Sequence, residues 1–267
     1  MNQSLLGRQI VNTRATHQAC ELDRMISVRG GRSIPYPCIA IGPPQNVIDL
    51  DQALSDLLSG EFAWVVFASA NSVHGLSDRL RATGHVPRIP RTTKVAVVGR
   101  ASERHLEDRF GQKADFVPGQ QNAVALASGL PICHGEAVLL PGSDISRPEL
   151  PEILASKGAA VTSVAAYRTF VGTGGANVPG LIAEMQVNAI TFSSPSAVDG
   201  FALRFLSEGG RTALLDGIAM VAIGETTLNA LNDHGLTGLN LDTVHSLDGL
   251  VETLERYFSG VPAGGHR

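Results

Sequence analysis

Lysine is nearly absent from this chain, with three residues (Lys94, Lys113, Lys157) against 18 arginines in 267 positions. The formal net charge is −4 and the sequence pI is near 6.0. Without a basic excess to neutralise phosphates, nucleic-acid binding is disfavoured. Cysteine is equally rare. Cys20, Cys38 and Cys133 are far apart and odd in number, which gives neither a disulfide framework nor a zinc spacing. They read as small hydrophobes with free thiols. No run of about 18 uncharged apolar residues occurs, so no membrane-spanning helix is expected. The first 14 residues lack the apolar region of a signal peptide, and a soluble, cytoplasmic protein is expected. Phosphate-loop, dinucleotide-fingerprint and nucleophile-elbow patterns are missing too. The eight histidines show no metal-site spacing. No metal or cofactor is expected, and no heptad or exposed-strand pattern asks for a partner chain, so a monomer is expected.

What the sequence does have is globular composition, 43% hydrophobic and 17% charged. Short apolar runs alternate with amphipathic stretches. Strands are expected at residues 9–12, 33–40, 64–68, 94–98, 115–117, 137–140, 160–166, 189–192, 220–223 and 239–241. Helices are expected at 16–28, 51–58, 72–82, 101–110, 147–156, 197–206, 226–233 and 247–258. This alternation predicts an α/β fold with parallel sheets. Glycines sit where helices should end: Gly30, Gly84, Gly111, Gly158, Gly209 and Gly235. Gly172-Thr-Gly-Gly175 reads as a flexible break and Pro35-Tyr-Pro37 as a stiff one.

An internal repeat organises the chain. The segment Phe67-Ala-Ser69-Ala-Asn71-Ser-Val73-His-Gly75 resembles Phe192-Ser-Ser194-Pro-Ser196-Ala-Val198-Asp-Gly200 at an offset of 125. Val95–Gly99 and Met220–Gly224 keep that offset. A weaker pair relates Val11–Gly30 to Leu139–Gly158. Two similar α/β halves follow.

Ligands of parallel α/β sheets bind beyond the carboxyl ends of the strands. Those ends carry Thr13 and Arg14; Ser69 and Asn71; Arg100 and Ser102; Ser143 and Arg147; Ser193, Ser194 and Ser196; Thr226 and Thr227. Small hydroxyl and amide residues there can cap a helix. They can also leave first-turn amides open to a carboxylate or phosphate. One loop can do both. Tyr167, one of three tyrosines, ends an apolar strand. It reads either as a half-buried strand-end aromatic or as a phenol able to give a proton to a ligand.

Taken in order, several motifs resemble the uroporphyrinogen-III synthase family. They are Asn12-Thr-Arg14, Phe67–Val73, Val97-Val-Gly99 with Ser102, Leu140-Pro-Gly-Ser-Asp144 with Arg147, Tyr167-Arg-Thr169, Phe192–Val198 and Ile223-Gly-Glu-Thr-Thr227. The resemblance spans residues 9–258. It implies two flavodoxin-like domains joined by a two-stranded linker around a cleft, divided as 1–36 plus 170–267 and 37–169. It implies a small-molecule substrate, hydroxymethylbilane, a linear tetrapyrrole with eight carboxylates. That substrate would be closed with inversion of ring D and loss of water, without cofactor. It also implies that Tyr167 assists departure of the hydroxide. The hydroxyls at the strand ends, with Arg14, Arg100 and Arg147 as carboxylate forks, would hold the substrate. A two-lobed, non-catalytic binding module for an anionic ligand is the alternative.

Overall fold

The computed structural model describes residues 3–146, 148–239 and 246–260. In chain order the elements are β1 (Gln9–Asn12), α1 (Thr16–Val28), β2 (Arg32–Pro35), β3 (Ile39–Gly42), α2 (Ile48–Leu58), β4 (Trp64–Phe67), α3 (Ala70–Ala82), β5 (Lys94–Val97), α4 (Arg100–Phe110) and α5 (Ala123–Gly129). They continue with β6 (Ala137–Ser143), α6 (Glu149–Ser156), β7 (Ala160–Val171), α7 (Val178–Ala183), β8 (Ala189–Phe192), α8 (Pro195–Ser207), a 3₁₀ turn (Thr212–Leu215), β9 (Ala219–Ala222), α9 (Glu225–Asp233), β10 (Gly238–Leu239) and α10 (Leu247–Phe258). The fold is α/β with parallel sheets. The chain divides into two compact units, Met1–Ala40 with Phe170–Arg267, and Ile41–Thr169. It therefore crosses from one unit to the other twice.

The first unit holds a five-stranded sheet in the order β10-β9-β8-β1-β2. Its β1 pairs in parallel with β2 on one side and β8 on the other. Ile10, Leu22, Ile26, Leu250, Val251 and Leu254 form a core where α1 and α10 cover one face. The second unit holds a five-stranded sheet in the order β3-β7-β6-β4-β5. Here β4 reads Trp-Val-Val-Phe and is buried throughout. Such a continuous apolar run is what a parallel strand covered on both faces requires. Successive side chains alternate between two cores. Val65 and Phe67 pack against α2, α3 and α4. Trp64 and Val66 pack against α5 and α6.

In each sheet the strand order reverses beside the first strand of the repeat, between β1 and β8 and between β4 and β6. That is where open α/β sheets place their ligands. The offset of 125 is kept in three dimensions: β4 and β8, α3 and α8, and β5 and β9 share it at both ends.

Several expectations need correction. The strand expected at 33–40 is two strands, β2 and β3, in different sheets. Proline at positions 35 and 37 supplies no backbone N–H for a continuous ladder. The strand expected at 115–117 is a single bridge between Ala96 and Phe116. The strand expected at 160–166 runs on to Val171, through Tyr167. Residues 240 and 241 of the last expected strand, and Arg147, lie outside the described residues.

The glycine-rich break also has a different basis. A Cβ on Gly172 would overlap the Pro37 carbonyl, and one on Gly175 would overlap the Pro35 carbonyl. The Gly172 N–H donates to the Cys38 carbonyl at 3.0 Å. These glycines let two backbone segments touch, and Arg204 of α8 fixes both. Only 6% exposed, Arg204 donates to the carbonyls of Pro37 at 2.8 Å and Gly174 at 2.6 Å. Its Nε donates to Glu208 at 2.7 Å, and its guanidinium lies 3.9 Å from the Tyr36 ring centroid.

Candidate functional site

In the second unit the structure brings Ser69, Ser143 and Tyr167 into one network. Ser69 follows β4 in extended conformation and caps α3: its Oγ accepts the Ser72 N–H at 3.1 Å. The Tyr167 hydroxyl lies 3.3 Å from the same Oγ. Tyr167 reaches this place from β7, with its ring packed on the core shared by α2, α3 and α4. At the end of β6 the register shifts between Gly142 and Ser143, pairing Ser143 with Tyr167. The Asp144 N–H then donates to the Tyr167 carbonyl at 3.1 Å. Asp144 Oδ1 accepts from Ser143 Oγ at 2.9 Å and from the Thr169 N–H at 3.1 Å. Burial pushes the Tyr167 pKa up, and the bond from Ser69 opposes this while the Asp144 carboxylate adds to it. The phenol therefore keeps its proton at neutral pH and is available as a donor.

Other residues expected at strand ends in this unit are placed differently. Asn71 is half-buried in the first turn of α3. Ser102, in the first turn of α4, is 4% exposed. Arg100 has a side chain 77% exposed and bonds Glu103 one turn along, at 2.9 Å. As a carboxylate fork it is already engaged, in a weak surface pair.

The first unit shows the same division. Thr13 is fully buried, and its hydroxyl donates to the Thr191 carbonyl at 2.6 Å, tying β1 to β8. Thr227 is 1% exposed. The hydroxyl of Thr13 is thus turned into the packing rather than outward. Thr226 is exposed, and Ser193, Ser194 and Ser196 are half-buried. Ser194 caps α8, accepting the Ala197 N–H at 3.2 Å, and its Oγ lies 3.1 Å from Ser196 Oγ. Arg14 is half-buried and donates from Nε to the Gln18 carbonyl at 2.9 Å. Burial lowers its pKa against the pull of Glu21. Guanidinium nonetheless stays charged at neutral pH, so it remains a seat for an anion. Among the described residues, no group of three or more His, Cys, Asp or Glu could hold a metal ion. No described helix is long and apolar enough to cross a membrane.

A family model described as uroporphyrinogen-III synthase HemD matches residues 21–252. The chain belongs to the uroporphyrinogen-III synthase family. It is 30% identical to the uroporphyrinogen-III synthase of Synechococcus elongatus, over 96% of this chain and 97% of the relative. It is 27% identical to that of Chlorobaculum parvum, over 86% of this chain and 90% of the relative. A solved structure of a mutant uroporphyrinogen III synthase from Thermus thermophilus shares the fold, with a TM-score of 0.62 at 17% identity, covering 95% of this chain and 99% of that one.

The network around Tyr167 joins three residues read from the sequence, Ser69, Ser143 and Tyr167. Sequence reasoning missed Asp144 as a member of it, although the residue sits inside the Gly142-Ser-Asp144 turn. It missed Arg204 as well. The signal was there: an arginine on the apolar stripe of a helix, between Phe201 and Phe205.

Proposed function

We propose that this protein closes hydroxymethylbilane to uroporphyrinogen III, with inversion of ring D and loss of water, as a cyclising hydro-lyase of tetrapyrrole biosynthesis. Family membership over residues 21–252 supports the reaction class. The observation that carries the mechanism is the Tyr167 hydroxyl, held at a strand end 3.3 Å from Ser69. In this reading the C–O bond of the terminal hydroxymethyl group breaks with its electron pair going to oxygen. The pyrrole nitrogen supplies electrons from the other side, giving an azafulvene. Tyr167 gives its proton to the departing hydroxide, which leaves as water. Ring D then attacks through its substituted carbon. The spiro intermediate fragments and recombines, and the proton lost on closure returns to the phenolate. Electrons balance throughout, so the chemistry requires no redox partner.

We propose further that each unit acts as a flavodoxin-like domain, divided near residues 36–40 and 169–170, with the chain crossings as the linker. In the first unit the order β2-β1-β8-β9-β10 is 2-1-3-4-5 in chain order, and in the second β5-β4-β6-β7 keeps the 2-1-3-4 part with the earlier strand β3 at the far edge, which supports this. The strand-end loops of each domain would offer donors to the substrate's carboxylates. Arg14, Asn71, Ser143, Ser193, Ser194, Ser196 and Thr226 are the donors, with Arg100 and Arg147 as reserve forks. Thr13 ties β1 to β8 beneath its loop, and Ser102 and Thr227 sit in the first turns of α4 and α9. The protein would act as a cytoplasmic monomer without nucleic acid.

The test is a coupled assay. Hydroxymethylbilane is generated in situ, the products are oxidised, and type I and type III uroporphyrins are separated by chromatography. Closure without inversion is spontaneous, so type III is the signature of catalysis. Dominant type III is expected. Type I alone would reject the reading and favour a binding module.

A further inference from the structure

We propose that Ser69 is a positioning residue for Tyr167: its hydroxyl holds the phenol oxygen and steadies the charge left there when the proton departs. The inference rests on the reading of Tyr167 as the proton donor of the closure. Ser69 Oγ already accepts the Ser72 N–H at 3.1 Å, which fixes its orientation and occupies one lone pair. Its own proton has two acceptors in reach, Ser72 Oγ at 3.4 Å and Tyr167 Oη at 3.3 Å, and a phenolate is the stronger of the two. A phenolate accepts such a bond more strongly than a phenol does. The bond therefore gains strength as the proton leaves, which is what accelerates a step.

Two further features support an arrangement built for this contact. Helix α3 approaches β7 closely because position 75 is glycine: a Cβ there would overlap the carbonyl of Ala166, the residue before Tyr167. The repeat supplies an internal control. Ser194 caps α8 as Ser69 caps α3. A Cβ on Gly200 would overlap the carbonyl of Cys38 in the same way. The residue after that carbonyl is Ile39, 7% exposed, and Ser194 Oγ turns to Ser196 instead. Capping is common to both repeats, whereas the hydroxyl–phenol contact is made in one. The charged group whose field reaches the phenol is Asp144, beyond β6. The first turn of α3 holds no acidic residue.

Phenolate titration of the full chain tests this, using tyrosine labelled with ¹³C at Cζ. Tyr36, Tyr167 and Tyr257 give the signals, and Tyr167→Phe assigns one of them. Ser69→Ala is expected to raise the Tyr167 midpoint by roughly half a unit to one unit, the worth of one hydrogen bond. Ser69→Thr, which keeps both cap and hydroxyl, restores it. Ser194→Ala, which removes the matching cap, leaves it in place. In the isomer assay, Ser69→Ala lowers kcat for type III about fivefold with KM nearly unchanged, and adds nothing to Tyr167→Phe. An unmoved midpoint in Ser69→Ala would overturn the proposal. So would a raised KM with effects that add fully in the double variant, since Ser69 would then be a substrate donor. Wild-type kcat in Tyr167→Phe would overturn the reading of Tyr167 itself. That failure is distinguishable, because the midpoint would still respond to Ser69.

Discussion

The loops after β4 and β8 begin from nearly the same sequence and take the same local shape. Ser69 and Ser194 cap their helices at φ, ψ of −159°, 160° and −165°, 156°. Gly99 and Gly224 open the next helices at 178°, 178° and 178°, 176°. Ser102 and Thr227 are buried in both. The loops part in what meets them. Ser69 faces a phenol, whereas the equivalent strand position in the other repeat is Ile39. Arg79 and Arg204 also occupy one repeat position. Arg79 pairs with Asp51 on the surface of α2, with a side chain 27% exposed, and Arg204 is buried against two backbone segments. The repeat thus fixes capping and helix approach, and what meets each cap is decided by the strand alongside.

Removing Arg204 should have the largest effect on this comparison. Arg204→Ala strands the carbonyls of Pro37 and Gly174 and leaves Glu208 with Tyr36 alone. Breaking a buried charge of this kind costs about 3–5 kcal/mol, to be read from urea unfolding. Arg79→Ala should cost under ~1 kcal/mol, as exposed pairs do. Equal losses would mean that burial does not separate the two arginines.

The paired glycines come next. Gly75→Ala and Gly200→Ala each force a helix off a backbone carbonyl, at about 1–3 kcal/mol apiece. Only Gly75→Ala should shift the Tyr167 titration, because only there does the displaced helix carry a phenol's partner. A shift in both variants would break the asymmetry. Asp144→Asn removes the carboxylate that adds to the raised Tyr167 pKa, so the midpoint should fall; a rise would mean Asp144 acts through the backbone it holds. The smallest effect is expected at Arg100. Losing its exposed bond to Glu103 should change stability by no more than about 0.5 kcal/mol, and type III formation should hardly change if Arg100 is only a reserve fork.

The alternation of strands and helices was legible because buried parallel strands are short apolar runs. The repeat was legible because caps and close-approach glycines restrict residue type. All six glycines read as helix ends adopt positive φ, Gly30 at +82° and Gly158 at +90° among them. The short helices α5 and α7 were missed, being one or two turns with little amphipathic pattern. The split between β2 and β3 was hidden because Pro35-Tyr-Pro37 sits inside one apolar run. At the site, residue type said hydroxyl and position said strand end. Neither says which way a hydroxyl points. Thr13 and Ser69 look alike in sequence, yet one is sealed under β8 and the other meets a phenol. That difference depends on which distant strand lies alongside.

The most direct test of the account compares the rate of type III formation in wild type and Tyr167→Phe, with spontaneous type I measured in the same samples. A phenol of raised pKa is a modest acid, so its loss should slow type III about 10–100-fold, at or below the lower end of general-acid contributions. The isomer formed on the enzyme should remain type III. Unchanged type III formation in the variant would contradict the assignment of Tyr167 as the proton donor.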